Sequence, residues 1–452
     1  MSPLSDRLLV HATRALPRYT SYPTALAFQP SADDVNLRHW LGDIQSHDTL
    51  SIYVHIPFCE RLCWYCGCHT SVPNGYARVA RFLDQLKREI DLWGDALPAH
   101  AGTAHLHFGG GSPNSLNTGD FAELLALLSR RFRLRPGAEV AVELDPGNLD
   151  PGFAAALGPA GATRASLGVQ TFDPGVQRLV NRIQPFEQVA AAVEALRGGG
   201  VGAINFDMMY GLPAQTCANV AASMEAALSL QPDRVALFGY AHVPWMKKHQ
   251  AVIRDVDLAD VSGRWAQAEA AEAVLSAHGY VRIGMDHYAR PGDPMTARLA
   301  DGTLHRNFQG YTDDPSTALI GLGPSGISSL PYAYAQNRLR VDDWAADIAA
   351  GRLPVGRQLE TSSDDRLRRT VIERLMCDLE VDVGAVCLDH GREVTTLDPA
   401  VAAARALEPD GLCQVDGRHV RVPQDMGRLV RVVAACFDNR SVTAPKRHSA
   451  AI

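Results

Sequence analysis

The chain has 452 residues, 46% hydrophobic and 21% charged, with a formal net charge of −7. That length exceeds one ordinary core, so one large domain with one or two smaller ones is expected. The charge offers neither a basic surface for nucleic acid nor an acidic tail, and no apolar run is long enough to span a bilayer.

Met1 to Arg7 has no apolar signal core, and nine cysteines, an odd number, read as reduced thiols of a cytoplasmic protein. The first strong element is an apolar strand, Leu50 to Phe58. It runs into Cys59-Glu60-Arg61-Leu62-Cys63-Trp64-Tyr65-Cys66-Gly67-Cys68-His69, four thiols in one short loop. Soft sulfur ligands suit zinc or iron–sulfur clusters. Structural zinc on Cys59, Cys63, Cys66 and Cys68 or His69 is one reading. Such sites, however, draw two ligand pairs from separate segments. The single-loop spacing C-x3-C-x2-C-x-C favours a cluster with an incompletely filled ligand set.

A rhythm of strand and helix follows. Val79, Phe82, Leu83, Leu86, Ile90 and Trp93 keep a helical period over 76–97. Thr103 to Phe108 is a strand ending at Gly109-Gly110-Gly111, and a helix through Phe121, Leu124, Leu125 and Leu128 is capped by Thr118. Strands at 139–146, 163–170, 203–210 and 234–240 continue the pattern, with helices around 189–196 and 220–230 between them. About six such units precede Ala241, too few for an eight-unit barrel and right for an open (β/α)6 one with right-handed crossovers. Ligands gather at the carboxyl ends of strands in such sheets. Cys59, Gly109 to Ser112, Glu143, Gln170, Asp207 and Ala241 with His242 all stand there. One composite site is the expectation.

Beyond Pro244, residues 262–278 read as a helix and 280–286 as a strand. Residues 293–315 look polar and turn-rich, and 319–327 look like a glycine-rich loop packing backbone on backbone. From Ser362 the pattern is helical, and Gly411 to Val422 reads as a hairpin turning at Asp416-Gly417. A mostly helical, winged-helix-like module is expected there, with a disordered tail after Asn439.

Taken singly, these residues are weak signals. Three glycines at a strand end can form an anion-binding nest or only a tight turn. Glu143 and Asp207 can bind ribose hydroxyls or an ammonium, or cap helices. Gln170 can satisfy backbone groups, and Arg164 and Arg182 can pair carboxylates or lie in surface ion pairs. His105 and His107 share one side of a strand, where hydrogen-bonded histidines are expected before a metal site.

The cysteine spacing, with Tyr65 before the third cysteine, resembles the signature of the radical S-adenosylmethionine superfamily, and Gly109 to Pro113 its glycine motif. Further stretches narrow the match: Arg18 to Ala25, Cys66-Gly67-Cys68, Val180-Asn181-Arg182, Tyr210 to Pro213, Tyr240 to Pro244, Gly284 to Tyr288 and Asn307 to Tyr311. Together they resemble the oxygen-independent coproporphyrinogen III oxidase (dehydrogenase) family over nearly the whole chain.

This resemblance implies a [4Fe–4S] cluster on Cys59, Cys63 and Cys66, with Cys68 outside the ligand set. It implies two molecules of S-adenosylmethionine, the first at Tyr53, Tyr65, Gly110, Glu143 and Ile327. The second would lie at Gly111, Ser112, Gln170, Arg182, Asp207 and Ala241. Ser112 stands where threonine is common, Gly147 where arginine often follows Glu-x-Asp-Pro, and Thr171 where aspartate often follows Gln170. The implied reaction cleaves S-adenosylmethionine to a 5′-deoxyadenosyl radical that abstracts hydrogen from a propionate. Loss of CO2 and an electron then leaves a vinyl group. Two such turnovers convert coproporphyrinogen III to protoporphyrinogen IX in haem synthesis. Its partners would be a one-electron reductant such as flavodoxin or ferredoxin and an electron acceptor of unknown identity, the enzyme being a monomer. Arg18, His242, Lys247, Arg306 and Gln309 are candidate anchors for the substrate carboxylates. A haem chaperone on the same fold is the alternative, disfavoured by the Arg18 to Ala25 segment and by Cys68. The expected division is an N-terminal extension on the barrel (1–46), the barrel (47–290), a segment completing the site (291–354), a helical domain (355–440) and a tail (441–452).

Overall fold

The computed structural model describes residues 6–440, so the expected tail at 441–452 lies outside the described residues. Strands β1 (Gln29–Pro30), β2 (Leu50–Ile56), β3 (Thr103–Gly110), β4 (Leu134–Leu144), β5 (Arg164–Gln170), β6 (Ala203–Tyr210) and β7 (Arg234–Gly239) come first. Next are β8 (Val281–Ile283), β9 (His287–Ala289), β10 (His305–Asn307), β11 (Gly310–Thr312), β12 (Ala318–Leu322), β13 (Ile327–Ser329), β14 (Ala333–Asn337) and β15 (Val355–Glu360). Thirteen strands form one open sheet, β1-β15-β14-β13-β12-β2-β3-β4-β5-β6-β7-β9-β8. Strands β2 to β7 pair in parallel and are joined through helices, giving the expected partial barrel. A seventh parallel strand, β12, lies beside β2 with Ile320 opposite Ile52. Antiparallel strands extend both edges.

The period of two along each strand divides the sheet into an apolar outside and a polar lumen. Ile52, Val54, Leu106, Phe108, Val140, Val142, Leu167, Val169, Ile204 and Phe206 are buried in one core with Phe82, Leu86, Phe121, Leu124, Leu157, Val193 and Met224 of the covering helices. Each such side chain contributes about 1.5–3 kcal/mol by leaving water. The alternate positions, among them His105, His107, Glu139, Glu143, Ser166, Asn205 and Asp207, line a shared interior cavity. Patterning that buries the apolar face therefore turns the chemical residues inward.

A second core joins the C-terminal module to the barrel. It packs Leu367, Val371, Ile372 and Leu375 of the helix Ser363–Asp378 against Ile283, Met285 and Ala289, with Ala12, Leu16 and Tyr22 from the N-terminal segment. A small sheet of β16 (Glu380–Asp382), β17 (Gln414–Asp416) and β18 (His419–Arg421), ordered β16-β18-β17, supplies the wing, with Gly417 at φ +56° in its turn.

Three local expectations need correction. The helix Thr118–Arg131 is capped by Asn117, whose side chain accepts the Asp120 N–H at 2.8 Å; Thr118 is already its first residue. The turn-rich stretch 293–315 holds a short helix, Pro294–Ala300, and the β10–β11 hairpin. The first part of the presumed glycine loop is strand β12. Backbone does pack on backbone there: a Cβ on Gly321 would stand 2.5 Å from the Ile327 nitrogen, so β13 can fold back on β12 only over glycine.

Candidate active site

The four-thiol loop leaves the end of β2 and lies across the mouth of the lumen. Cys59, Cys63, Cys66 and Cys68 all line one cavity of about 170 Å3, shared with Gly110, Gly111, Ser112, Glu143, Gln170, Arg182 and Asp207. Cys59, Cys63 and Cys66 each have a donor nearby. Thr70 Oγ1 donates to Cys59 Sγ at 3.1 Å, Arg182 approaches Cys63 Sγ at 3.5 Å, and the Cys68 N–H donates to Cys66 Sγ at 3.4 Å. Burial pushes the Cys59 thiol up to about 11. The Cys68 thiol, its N–H, His249 and Lys247 together draw Cys66 down to about 6 against burial. Among the described residues no three His, Cys, Asp or Glu side chains converge on a single metal ion.

The glycines of β3 form the floor. Gly110 sits at φ +103°, and a Cβ there would stand 2.3 Å from the His55 ring; on Gly111 it would meet the Phe58 carbonyl at 2.4 Å. Bare backbone is required at both positions. Glu143 meets this floor: one oxygen lies 2.8 Å from His107 Nε2 and the other accepts the Gly110 N–H at 3.2 Å. Burial acts to raise its carboxyl, but His107 and that N–H prevail and hold it below the usual range. Asp207 takes the opposite state: burial, then the Glu143 charge, pushes its carboxyl up to about 7. Below about pH 7 the site thus holds an anionic carboxylate beside a protonated one that can donate. Gln170 closes β5 with its backbone at φ +68°, a conformation an L side chain adopts only when its surroundings impose it.

Tyr53, Gly110, Glu143, Gln309 and Ile327 line an adjoining cavity of about 480 Å3 with His55 and Cys68. The loop that delivers Ile327 is clamped by Glu89. This fully buried carboxyl group accepts from the Gly323 N–H and Asn337 Nδ2, each at 2.7 Å, and from Trp344 Nε1 at 3.1 Å. Asn337 Nδ2 also donates to the carbonyls of Gly321 and Gly323.

Arg182 is held by structure. It donates to the Gly168 carbonyl through Nε at 3.1 Å and through a terminal nitrogen at 2.6 Å, and pairs Asp145 at 3.1 Å. Tyr65 lies in the cluster cavity beside it, and burial raises its hydroxyl well above the usual range. At Gly147, where arginine is common in the resembling family, a Cβ would stand 2.5 Å from the Arg61 guanidinium. Arg61, reaching in from the thiol loop to within 3.6 Å of Asp145, occupies the space. Ser112 Oγ accepts the Asp145 N–H at 3.0 Å, so the hydroxyl in place of threonine is in use. Thr171 Oγ1 meets Ser223 Oγ at 3.2 Å instead of supplying a carboxylate.

The anchor candidates separate. Arg306 lines a cavity of about 350 Å3 between the barrel and the helix Ser363–Asp378; its Nε and one terminal nitrogen find no hydrogen-bond partner among the described residues. Gln309 faces the lumen. Arg18 lies 3.8 Å from Asp286, and His242 sits between the Tyr240 hydroxyl at 2.8 Å and Asp255 at 3.1 Å. Lys247 donates to the Cys68 carbonyl at 2.9 Å. Ala241 follows β7 beside them, outside the cavity walls described above.

Comparison with known proteins places this geometry. The radical SAM superfamily pattern matches residues 53–227, and that of the HemN C-terminal domain matches 361–429. The oxygen-independent coproporphyrinogen III oxidase of Bradyrhizobium diazoefficiens is 43% identical over 448 residues, 99% of this chain and 100% of that protein. The chain belongs to the oxygen-independent coproporphyrinogen III oxidase family. Its Escherichia coli member is 36% identical over 93% of this chain and 92% of its own length. A solved structure described as coproporphyrinogen III oxidase (HemN) from Escherichia coli, a radical SAM enzyme, superposes with a TM-score of 0.89. It is 34% identical and the match covers 94% of this chain and all of that one. The oxidase names of these relatives do not favour the chaperone alternative. As a radical SAM family member the protein uses a [4Fe–4S] cluster and S-adenosylmethionine, and the residues present fit both. The cysteines of the loop open on one cavity, more than the three thiolates such a cluster needs, bare glycines leave room for a ligand, and the carboxyl pair offers both an acceptor and, below about pH 7, a donor.

Sequence reading overlooked His55, Ser166 and Gly168. All three follow from the period of two, standing two residues from Tyr53, Arg164 or Gln170 on the lumen side. His55 contacts the Tyr53 hydroxyl at 3.1 Å and the His69 carbonyl at 2.8 Å, and burial lowers its ring to about 4, leaving it neutral.

Proposed function

We propose that this chain converts the two propionates of coproporphyrinogen III to vinyl groups without oxygen, giving protoporphyrinogen IX. The observation that carries this reading is the full-length family match together with the four-cysteine loop opening onto the cavity of Gly110, Glu143 and Asp207. In this reading Cys59, Cys63 and Cys66 hold the cluster. Tyr53, Tyr65, Gly110, Glu143 and Ile327 hold the first S-adenosylmethionine, and Gly111, Ser112, Gln170, Arg182, Asp207 and Ala241 surround the second. When bound, the cluster and S-adenosylmethionine supply the radical that an unactivated C–H bond requires, because no acid–base route removes that hydrogen.

The chain's own residues bind, orient and shield. Glu143, kept anionic, accepts from an ammonium or from ribose hydroxyls, while Asp207, protonated below about pH 7, donates. Arg182, fixed on Gly168 and Asp145, orders the wall beside Cys63 and acts there as a positioning residue. Glu89 fixes the loop bearing Ile327 and so helps close the cavity to water. Among the anchors Arg306 is the best supported, since a tetracarboxylate needs cations and its guanidinium has donors to spare. The segment 291–354 completes the site through Gln309 and Ile327. A one-electron carrier reduces the cluster, and the enzyme acts as a monomer in the cytoplasm.

Anaerobic purification tests the reading. Roughly four irons per chain, brown colour and conversion of coproporphyrinogen III under reducing conditions are expected. One zinc and no colour would overturn it.

A further inference from the structure

The segment after β7 folds over the thiol loop and links it to solvent. His249 Nε2 lies 2.8 Å from the Cys66 carbonyl, Lys247 Nζ donates to the Cys68 carbonyl at 2.9 Å, and Gln250 Nε2 donates to the Tyr65 carbonyl at 2.8 Å. One face of this segment grips the main chain at or beside a cluster thiol. Its other face is open. Trp245 is 63% exposed and Met246 59%. The chain's other five tryptophans are buried or half-buried.

Beside this pair Lys248 is exposed and Lys247 half-buried. They are two of only four lysines in the sequence, and they stand together on a chain of net charge −7. The nearby acids Asp255 and Asp257 pair with His242 at 3.1 Å and Arg254 at 2.7 Å. An exposed apolar pair beside unspent positive charge, on a segment hydrogen-bonded to the thiol loop, has the chemistry of a docking face.

We propose that Trp245, Met246 and Lys248 dock the protein that reduces the cluster. The partner is a small acidic one-electron carrier whose redox group lies at an apolar edge ringed by carboxylates. This rests on the cluster reading above. One electron leaves the reduced carrier for the iron–sulfur group; the carrier is oxidised, the cluster reduced, and no bond or proton changes place. Trp245 and Met246 exclude water from the carrier's edge, and Lys248 draws its carboxylates in. His249, bridging this segment to Cys66, is the short path inward.

Purified acidic flavodoxin serves as the probe. Its oxidised form is titrated calorimetrically into the anaerobic holoenzyme, its reduced form is used to drive cluster bleaching, and dithionite replaces it in a parallel assay of S-adenosylmethionine cleavage. Lys248→Glu should weaken binding about tenfold at low ionic strength, with the gap closing at high salt. Trp245→Ala should weaken it at both. Both variants should bleach slowly with flavodoxin yet cleave S-adenosylmethionine normally with dithionite. Equal binding and bleaching by variants and wild type, or no salt-dependent binding by wild type, would overturn the docking face. A wild-type holoenzyme that fails to cleave S-adenosylmethionine with dithionite would instead overturn the cluster reading, and this inference with it.

Discussion

His107 Nε2 stands 2.8 Å from Glu143 Oε1, and that contact helps keep Glu143 ionised beside an Asp207 that burial protonates below about pH 7. His107→Ala should raise the KM for S-adenosylmethionine about tenfold, the scale of losing a partner that orients a ligand-binding group. Without the ring, burial raises the Glu143 carboxyl, so affinity in the variant should fall as pH falls. Between about pH 5 and about pH 6, where Asp207 stays largely protonated, wild type should stay flat. Parallel pH profiles of KM for the two proteins would count against the role given to His107.

Arg182 joins Asp145, the Gly168 carbonyl and the Cys63 sulfur. Arg182→Ala leaves a buried carboxylate short of its partner, a loss of about 3–5 kcal/mol. Arg182→Lys keeps the charge without the planar fork and should fall between. Denaturant midpoints and iron retained after anaerobic gel filtration should drop together in the order Lys, then Ala.

Glu89 makes a sharper pH prediction. Burial pushes its carboxyl from the ordinary 4.5 up to about 8, against the Gly323, Trp344 and Asn337 donors. A folded value above the unfolded one gives stability that is fully present below about 4.5 and is lost as pH rises toward about 8. Glu89→Gln removes that titration. Its unfolding temperature relative to wild type should therefore increase between about pH 5 and about pH 8. A constant difference would show that Glu89 titrates normally.

Arg306 stacks 4.3 Å over Tyr311 and keeps unpaired donors on a cavity wall. Arg306→Gln should raise the KM for coproporphyrinogen III by about 10- to 100-fold, the worth of a charge-assisted hydrogen bond. The KM for S-adenosylmethionine should not move. Arg18→Gln should do less to the substrate KM, because Arg18 is already paired with Asp286.

The period of two along the strands made the lumen legible, because the same alternation that buries Leu106 and Phe108 aims His105 and His107 inward. Helix periodicity located Tyr76–Ala96 almost to the residue. It did not reveal Glu89, since a charge on an amphipathic helix reads as solvated until the β12–β13 turn is known to bring donors to it. The strand character of 318–322 was hidden for a related reason: its glycines suit a loop, and only pairing with β2, more than 250 residues earlier, makes them a strand. Side-chain pairing likewise decides that His242 and Lys247 hold the protein's own groups, His242 through nearby Tyr240 and Asp255 and Lys247 through the distant Cys68 carbonyl. Arg61 filling the space at Gly147 is a contact of the same kind, invisible when a motif is read position by position.

The central claim is that the cavity beneath Cys59, Cys63 and Cys66 brings a propionate β-carbon to the site of S-adenosylmethionine cleavage. The direct measurement uses coproporphyrinogen III deuterated at the propionate β-carbons, turned over anaerobically by the holoenzyme with S-adenosylmethionine, a one-electron reductant for the cluster and an acceptor for the electron lost on decarboxylation. The account predicts deuterium in 5′-deoxyadenosine, two molecules of CO2 per protoporphyrinogen IX, and neither product from a Cys63→Ala variant. Vinyl groups formed with no deuterium in 5′-deoxyadenosine, or S-adenosylmethionine cleaved with the propionates left intact, would contradict it.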